Sequence, residues 1–287
     1  ENNWIDIEFI SNRVENGIKA LDDLKKITDK YTPAYTEKIT GVGKEKLFEA
    51  AKIYSNAPTA MIATGMGMSQ QTVGTNNVYS LINMCLISGQ IGKELCGVNP
   101  PRGQNNVQGA TDVGASPINY PGYIPVTDDQ NRRRIAKLWN VDYESLNPYK
   151  GLTTLEIMDA VHEGQIKALY VMGENPAITD PNQNHTIEAL KNIDFLVVQD
   201  IFETETAYYA DVILPAASLY EKDGTVVNSD RRVLRLRKAI ETTAEVRQDW
   251  EIILQIAEKM GYDIGKYNNP QEIFDEIALA APILGGI

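Results

Sequence analysis

Three short apolar runs, set between helical stripes and bounded by polar turns, constrain this chain more than any other feature. Residues 166–172 end in Gly173-Glu174-Asn175-Pro176. Residues 195–198 end in Gln199-Asp200, and a short helical segment over 205–209 leads into the third run, residues 211–215. Thr153 and Glu156 form a capping box for a helix to about residue 163, ahead of the first run. A second helix around 186–190 precedes the second run. Strands that alternate with helices pair in parallel, because the helix supplies the crossover. The expected fold class is therefore α/β, with Rossmann-like, doubly wound parallel sheets. Ligands of such sheets lie at the carboxyl ends of the strands.

The same order occurs nearer the N-terminus. Ile18, Leu21, Leu24 and Ile27 stripe a helix that Tyr31-Thr32-Pro33 breaks. Leu47, Ala50, Ala51 and Tyr54 stripe a helix over 44–54, and Ala60-Met61-Ile62-Ala63 reads as a buried strand. The strand runs into Gly65-Met66-Gly67-Met68, and Val78, Leu81, Ile82 and Cys85 mark a helix that Gly89 ends. Glycines after a strand let the backbone approach a phosphate, and the next helix aims free N–H groups at it. Gly65-x-Gly67 falls short of the full dinucleotide fingerprint, so a plain tight turn is an equal reading.

Residues 97–125 lose all periodicity and are rich in Gly, Pro, Asn and Gln. A structureless stretch of that length is functional or disordered. Its Asn99–Gly109 part holds one charge, Arg102, among carboxamides that both donate and accept. A guanidinium grips a carboxylate through two parallel hydrogen bonds; a surface arginine on a loop is the plainer reading. Beyond residue 219 come a turn-rich segment (221–230), a strand at 233–236 and two helices. Trp250, Ile253, Leu254 and Ala257 stripe the first helix, which Gly261 closes, and Asn269-Pro270 opens the second.

Charge and composition exclude other classes. Lys and Arg total 27 against 39 Asp and Glu, a net charge of −12, which argues against nucleic-acid and anionic-membrane binding. No apolar run reaches the ~18 residues of a membrane span. Cys85 and Cys96 read as reduced thiols of a cytoplasmic protein. Two cysteines and two histidines, His162 and His185, leave no metal-ligand set. Asp200, at a strand end, and Asp211, at a strand start, suit ribose or guanine recognition or simple helix capping; Glu174 and Asn175 invite the same pair of readings. Thr179, Thr204 and Thr206 read as loop hydroxyls, Glu221 and Asp223 as solvated turn acids. Arg132-Arg133-Arg134 and Arg231-Arg232 read as solvated faces.

Taken together, Gly65-Met66-Gly67-Met68-Ser69-Gln70, the Asn99–Gly109 loop, Met172-Gly173-Glu174-Asn175-Pro176, Val198-Gln199-Asp200-Ile201-Phe202 and Ala210-Asp211-Val212-Ile213-Leu214-Pro215 resemble the catalytic subunit of molybdopterin-dependent formate dehydrogenases. Glu221, Gly224, Thr225, Asn228 and Arg231-Arg232 continue the pattern, colinear over nearly the whole chain. The strand-end blocks resemble the wider bis-molybdopterin guanine dinucleotide family, and the arginine loop its formate dehydrogenase branch.

The resemblance implies oxidation of formate to CO₂ at a molybdenum or tungsten centre, with Arg102 orienting the substrate. It implies that Gly103 and Gln104 contact a pterin. It also implies that Met66, Gln70, Gly173, Glu174, Asn175, Thr179, Gln199, Asp200 and Asp211 line dinucleotide sites. Its partners would be the remainder of the catalytic subunit and an electron-transfer subunit. The family's selenocysteine or cysteine ligand, the adjacent histidine and the four cysteines of a 4Fe-4S cluster match nothing in the sequence. The expectation is thus an internal segment without metal ligands, inactive toward formate on its own. Residues 1–104 would be the second half of a Rossmann-like domain ending in the arginine loop. Residues 105–218 would be a second α/β nucleotide-binding domain, and 219–287 a turn-rich segment with C-terminal helices. Two alternatives are a nitrate or arsenate reductase of the same family, and a non-catalytic relative like the large iron–sulfur subunit of NADH dehydrogenase.

Overall fold

The computed structural model describes residues 4–243 and 245–286, in two units, Glu1–Gln104 and Asn105–Ile287. In the first unit, Asp6 accepts from the Phe9 N–H to start α1 (Ile7–Arg13), and α2 (Gly17–Thr28) follows. Thr32 accepts from the Tyr35 N–H and Pro33 occupies the first turn of α3 (Pro33–Thr40), a favoured helix start. Then come α4 (Lys44–Asn56), β1 (Met61–Ala63), α5 (Met66–Ser69), α6 (Gly74–Ile87) and β2 (Gly97–Asn99). β1 and β2 pair in parallel, Met61 opposite Gly97 and Ala63 opposite Asn99.

One buried side chain organises this unit. Gln90 accepts from the Ala60 N–H at 3.0 Å and from the Cys96 thiol, and donates to the Ala57 carbonyl at 2.7 Å. It thereby ties the entry of β1 to the chain after α6. Cys85 is buried against the Tyr54 hydroxyl, and burial together with that contact pushes the phenol above its usual range. Both thiols are free.

The second unit begins with α7 (Val107–Asp112), the antiparallel pair β3 (Asn119–Tyr120) and β4 (Ile124–Pro125), α8 (Asp129–Trp139) and α9 (Thr154–His162). The Thr153–Glu156 capping box is present at the start of α9. Next are β5 (Ala168–Met172), α10 (Pro176–Thr179), α11 (Gln183–Asn192), β6 (Phe195–Asp200) and β7 (Val212–Pro215). These strands form one parallel sheet in the order β5-β6-β7, as the alternation of runs and stripes required. Val171, Leu196 and Val198 face Ala177, Leu190 and Ala207, and Met158 and Val161 pack on Ala189. Full burial of each large aliphatic contributes ~1.5–3 kcal/mol. The antiparallel pair β8 (Gly224–Val227) and β9 (Val233–Leu236) precedes α12 (Asp249–Lys259) and α13 (Pro270–Ala280).

Several expectations are corrected. Residues 97–125 are not featureless: β2, α7 and the β3–β4 pair lie within them. Gly109, a weak helix former, sits in α7 because a Cβ there would lie 2.2 Å from Asn106 Oδ1 and 3.0 Å from a Val227 methyl. The turn-rich stretch 221–230 contains β8. Glu221 is not simply solvated: it closes a capping box with Ser218, and those bonds hold its carboxyl below the usual range. Arg132 and Arg133 flank the Tyr143 ring at 4.2 and 4.1 Å, and Arg134 donates to the Ala280 carbonyl at the end of α13. These arginines therefore hold structure together. His162 ends α9 as expected and stacks on His185, centroids 4.2 Å apart. Among the described residues no helix is long and apolar enough to cross a membrane.

Candidate functional site

In the first unit, two loops leave the same end of a parallel strand pair. After β1 the Thr64 N–H still bonds the Asn99 carbonyl at 3.1 Å, and then Gly65 turns the chain into α5. After β2 the chain passes through Pro100 and Pro101 to Arg102. The two loops meet: a Cβ built on Gly103 would lie 3.7 Å from the Met66 terminal methyl. Met66, Gln70, Arg102, Gly103 and Gln104 are all exposed there. Space beside Gly65 and Gly67 is open, since a Cβ on either would meet nothing within 4 Å. Gly74 has the opposite role. A Cβ there would lie 1.9 Å from the Ser69 carbonyl oxygen, so only glycine lets α6 start so close behind α5. Thr64 Oγ1 is buried at this end of β1 without a partner.

In the second unit, the carboxyl ends of β5 and β6 gather six of the expected residues. Gly173 takes φ +62, donates its N–H to the Gln199 carbonyl, and has open space where a Cβ would sit. The Thr179 hydroxyl donates to Glu174 at 3.0 Å. The Asn175 amide oxygen accepts from the Thr206 N–H and hydroxyl, and its amide nitrogen donates to Glu205 at 2.7 Å. That bond, and one from its own backbone, hold the Glu205 carboxyl below the usual range. Asp200 accepts from the Ile201 and Phe202 N–H groups, which shapes the turn after β6.

Gln199 is almost fully buried. It accepts from the Tyr170 hydroxyl and donates to Asp249 at 2.7 Å; Asp249 in turn pairs with Lys222. Asn175 and Gln199 are thus committed to the protein itself, and they brace the loops rather than present free amides. Asp211 lies elsewhere. It precedes β7 opposite Leu196 and accepts that residue's N–H at 2.7 Å, at the amino end of the sheet.

Sequence reasoning missed Tyr170, Asp180, Thr206, Lys222 and Asp249. Asp180 is the most telling. Its Oδ2 is buried without a partner, and burial, then the Glu174 charge, push its carboxyl above the usual range. The only sequence signal was its place next to Thr179. Asp249 lies just before the Trp250 stripe, in the first turn of α12, where an acid ordinarily serves the helix dipole. Thr206 read as a loop hydroxyl and is instead fully buried. Among the described residues no group of three or more His, Cys, Asp or Glu is placed to hold a metal.

The family pattern described as "Molybdopterin oxidoreductase" matches residues 19–259. The chain is 51% identical over 286 residues to the F420-dependent formate dehydrogenase subunit alpha of Methanocaldococcus jannaschii, covering 99% of this chain and 41% of that protein. It is 42% identical to formate dehydrogenase H of Escherichia coli, covering 98% and 38%. Acetylene hydratase from Pelobacter acetylenicus shares the fold, with a TM-score of 0.67 at 18% identity over 97% of this chain and 40% of that one. The chain spans about two fifths of the length of the curated relatives it matches.

Proposed function

Because the chain belongs to the molybdopterin oxidoreductase family, we propose that it is the central part of a formate dehydrogenase catalytic subunit, holding molybdopterin guanine dinucleotide and orienting formate. The observation that carries this reading is the meeting of the Gly65–Met66 and Arg102–Gly103 loops at the carboxyl ends of β1 and β2. That is where parallel sheets bind ligands, and Arg102, the loop's one cation, precedes Gly103 directly.

The residues fit such a cofactor. Gly65, Gly67 and Gly173 leave backbone open at strand ends, where a phosphate or pterin edge needs close approach. Met66, Gln70, Gly103 and Gln104 would hold it in the first unit. Gly173, Glu174 and Asp200 would line a nucleotide site of the second unit, with Asn175, Thr179 and Gln199 fixing its loops. When bound, the metal–pterin group supplies a two-electron acceptor.

The chain's own contribution is positioning. The Arg102 guanidinium would take the formate carboxylate in two charge-assisted bonds, fixing the direction of its C–H bond. The product CO₂ carries no charge, so this grip weakens once oxidation is complete. Relatives named as formate dehydrogenases at 42–51% identity support this branch over a nitrate or arsenate reductase. The remaining partners would be the rest of the catalytic subunit and an electron-transfer subunit. The free thiols Cys85 and Cys96 suit a cytoplasmic location.

The test is Arg102→Lys in the complete subunit. A lysine keeps the charge and loses the fork. The KM for formate should rise at least ~tenfold with metal content unchanged. Unchanged kinetics would end the substrate-clamp role, and loss of metal would reassign Arg102 to holding the cofactor.

A further inference from the structure

We propose that the groove between α8, α12 and α13 docks a basic amphipathic helix of another polypeptide. The groove lies wholly in the second unit and encloses about 1080 Å³, at the upper limit of the ~300–1,000 Å³ of small-molecule clefts. Its apolar wall is open to water: Trp139, Ile253 and Leu279 are 37%, 41% and 64% exposed. Exposed apolar surface of this kind marks interaction sites.

The rim fixes the sign of the partner. Asp263, Glu272, Asp275 and Glu276 line the groove, and among the described residues no lysine or arginine does. Their hydrogen-bond partners are neutral: the Gly265 N–H, the Asn268 and Asn269 amides, the Gln271 amide and the Tyr267 hydroxyl. None of the four takes part in an ion pair among the described residues. Carboxylates beside tryptophan and leucine complement lysine and arginine, whose aliphatic stems cover apolar surface while their heads meet the acids. Helices also favour a helical occupant, whose side-chain ridges fill the groove between them. Nucleic acid and anionic lipid carry the wrong charge. The proposal is independent of the formate dehydrogenase reading, since no residue of the groove belongs to that site.

The test titrates the complete subunit with a labelled Leu/Lys amphipathic peptide of about 18 residues, long enough to form a helix, and with its Leu/Glu counterpart. The basic peptide should bind at least ~tenfold more tightly, and its affinity should fall several-fold as ionic strength rises. Asp275→Asn with Glu276→Gln should remove most of the salt dependence. Leu279→Gln, at an exposed position that leaves folding intact, should weaken binding at least ~fivefold. Equal affinity for both peptides, indifference to these variants, or no binding because the subunit's own remaining chain fills the groove would each overturn the proposal.

Discussion

The Asn175 carboxamide oxygen accepts from both the backbone N–H (3.1 Å) and the hydroxyl (2.7 Å) of Thr206, which lies thirty-one residues further along the chain. The Thr206 hydroxyl also accepts from the Ala177 N–H at 3.2 Å. One buried side chain therefore ties the loop after β5 to the loop after β6.

Thr206→Val keeps the shape and removes the hydroxyl. The Ala177 N–H loses its acceptor in a buried setting, at a cost of ~1–3 kcal/mol. Urea denaturation should show a lower midpoint with an unchanged slope. An unchanged midpoint would mean that water replaces the hydroxyl without loss.

Two glycines should respond in opposite ways. Gly74→Ala places a methyl 1.9 Å from the Ser69 carbonyl and should yield little folded protein. Gly65→Ala meets nothing within 4 Å and should fold normally. If its open backbone faces the cofactor, the folded Gly65→Ala subunit should carry less molybdopterin, measured after its extraction and oxidation to a fluorescent form.

Asp180 should make stability fall as pH rises. Its carboxyl is raised by burial and by Glu174, so the folded state holds the proton more tightly than the unfolded state. Its ionisation weakens folding from the ordinary carboxylate range up to the raised value. Asp180→Asn should therefore be more stable than the parent at neutral pH, with the gap closing at about pH 3, below the ordinary carboxylate value. Equal stability at both pH values would count against a raised carboxyl with a buried, unpartnered Oδ2.

Asp211 separates structure from site. Asp211→Ala strips the acceptor from the buried Leu196 N–H and should cost ~1–3 kcal/mol. Cofactor content, normalised to folded protein, should hold, because the residue sits at the amino end of the sheet. A selective loss of cofactor would place Asp211 back among the binding groups.

The strands β5, β6 and β7 are legible in the sequence because apolar, β-branched runs stop abruptly at polar turns, and helical stripes fill the intervals. Gly65, Gly173 and the Arg102 loop are legible for a related reason: unusual composition falls where parallel strands end. What is hidden depends on contacts distant in sequence. α7 contains a glycine that weakens it locally and matters only because Val227 packs there. Gln199 and Asn175 look like ligand groups until Asp249 and Thr206, fifty and thirty-one residues away, are seen to occupy them. Asp211 is read correctly as a strand start, yet that position puts it at the far end of the sheet from the other candidates.

The Gln199–Asp249 bond also bears on the order of assembly. Gln199 is on a strand whose neighbours, β5 and β7, are complete by Pro215, whereas its partner belongs to a helix fifty residues later. At ~5–20 residues per second of synthesis, that helix emerges roughly 3–10 seconds after the strand. During this interval the nascent sheet shows water an amide designed for burial, beside Tyr170. The arrival of Asp249, with Lys222 paired to it, is thus the event that gives the Gln199 amide its partner, and a ribosome stalled before residue 249 should leave the nascent chain more open there to proteases and chaperones.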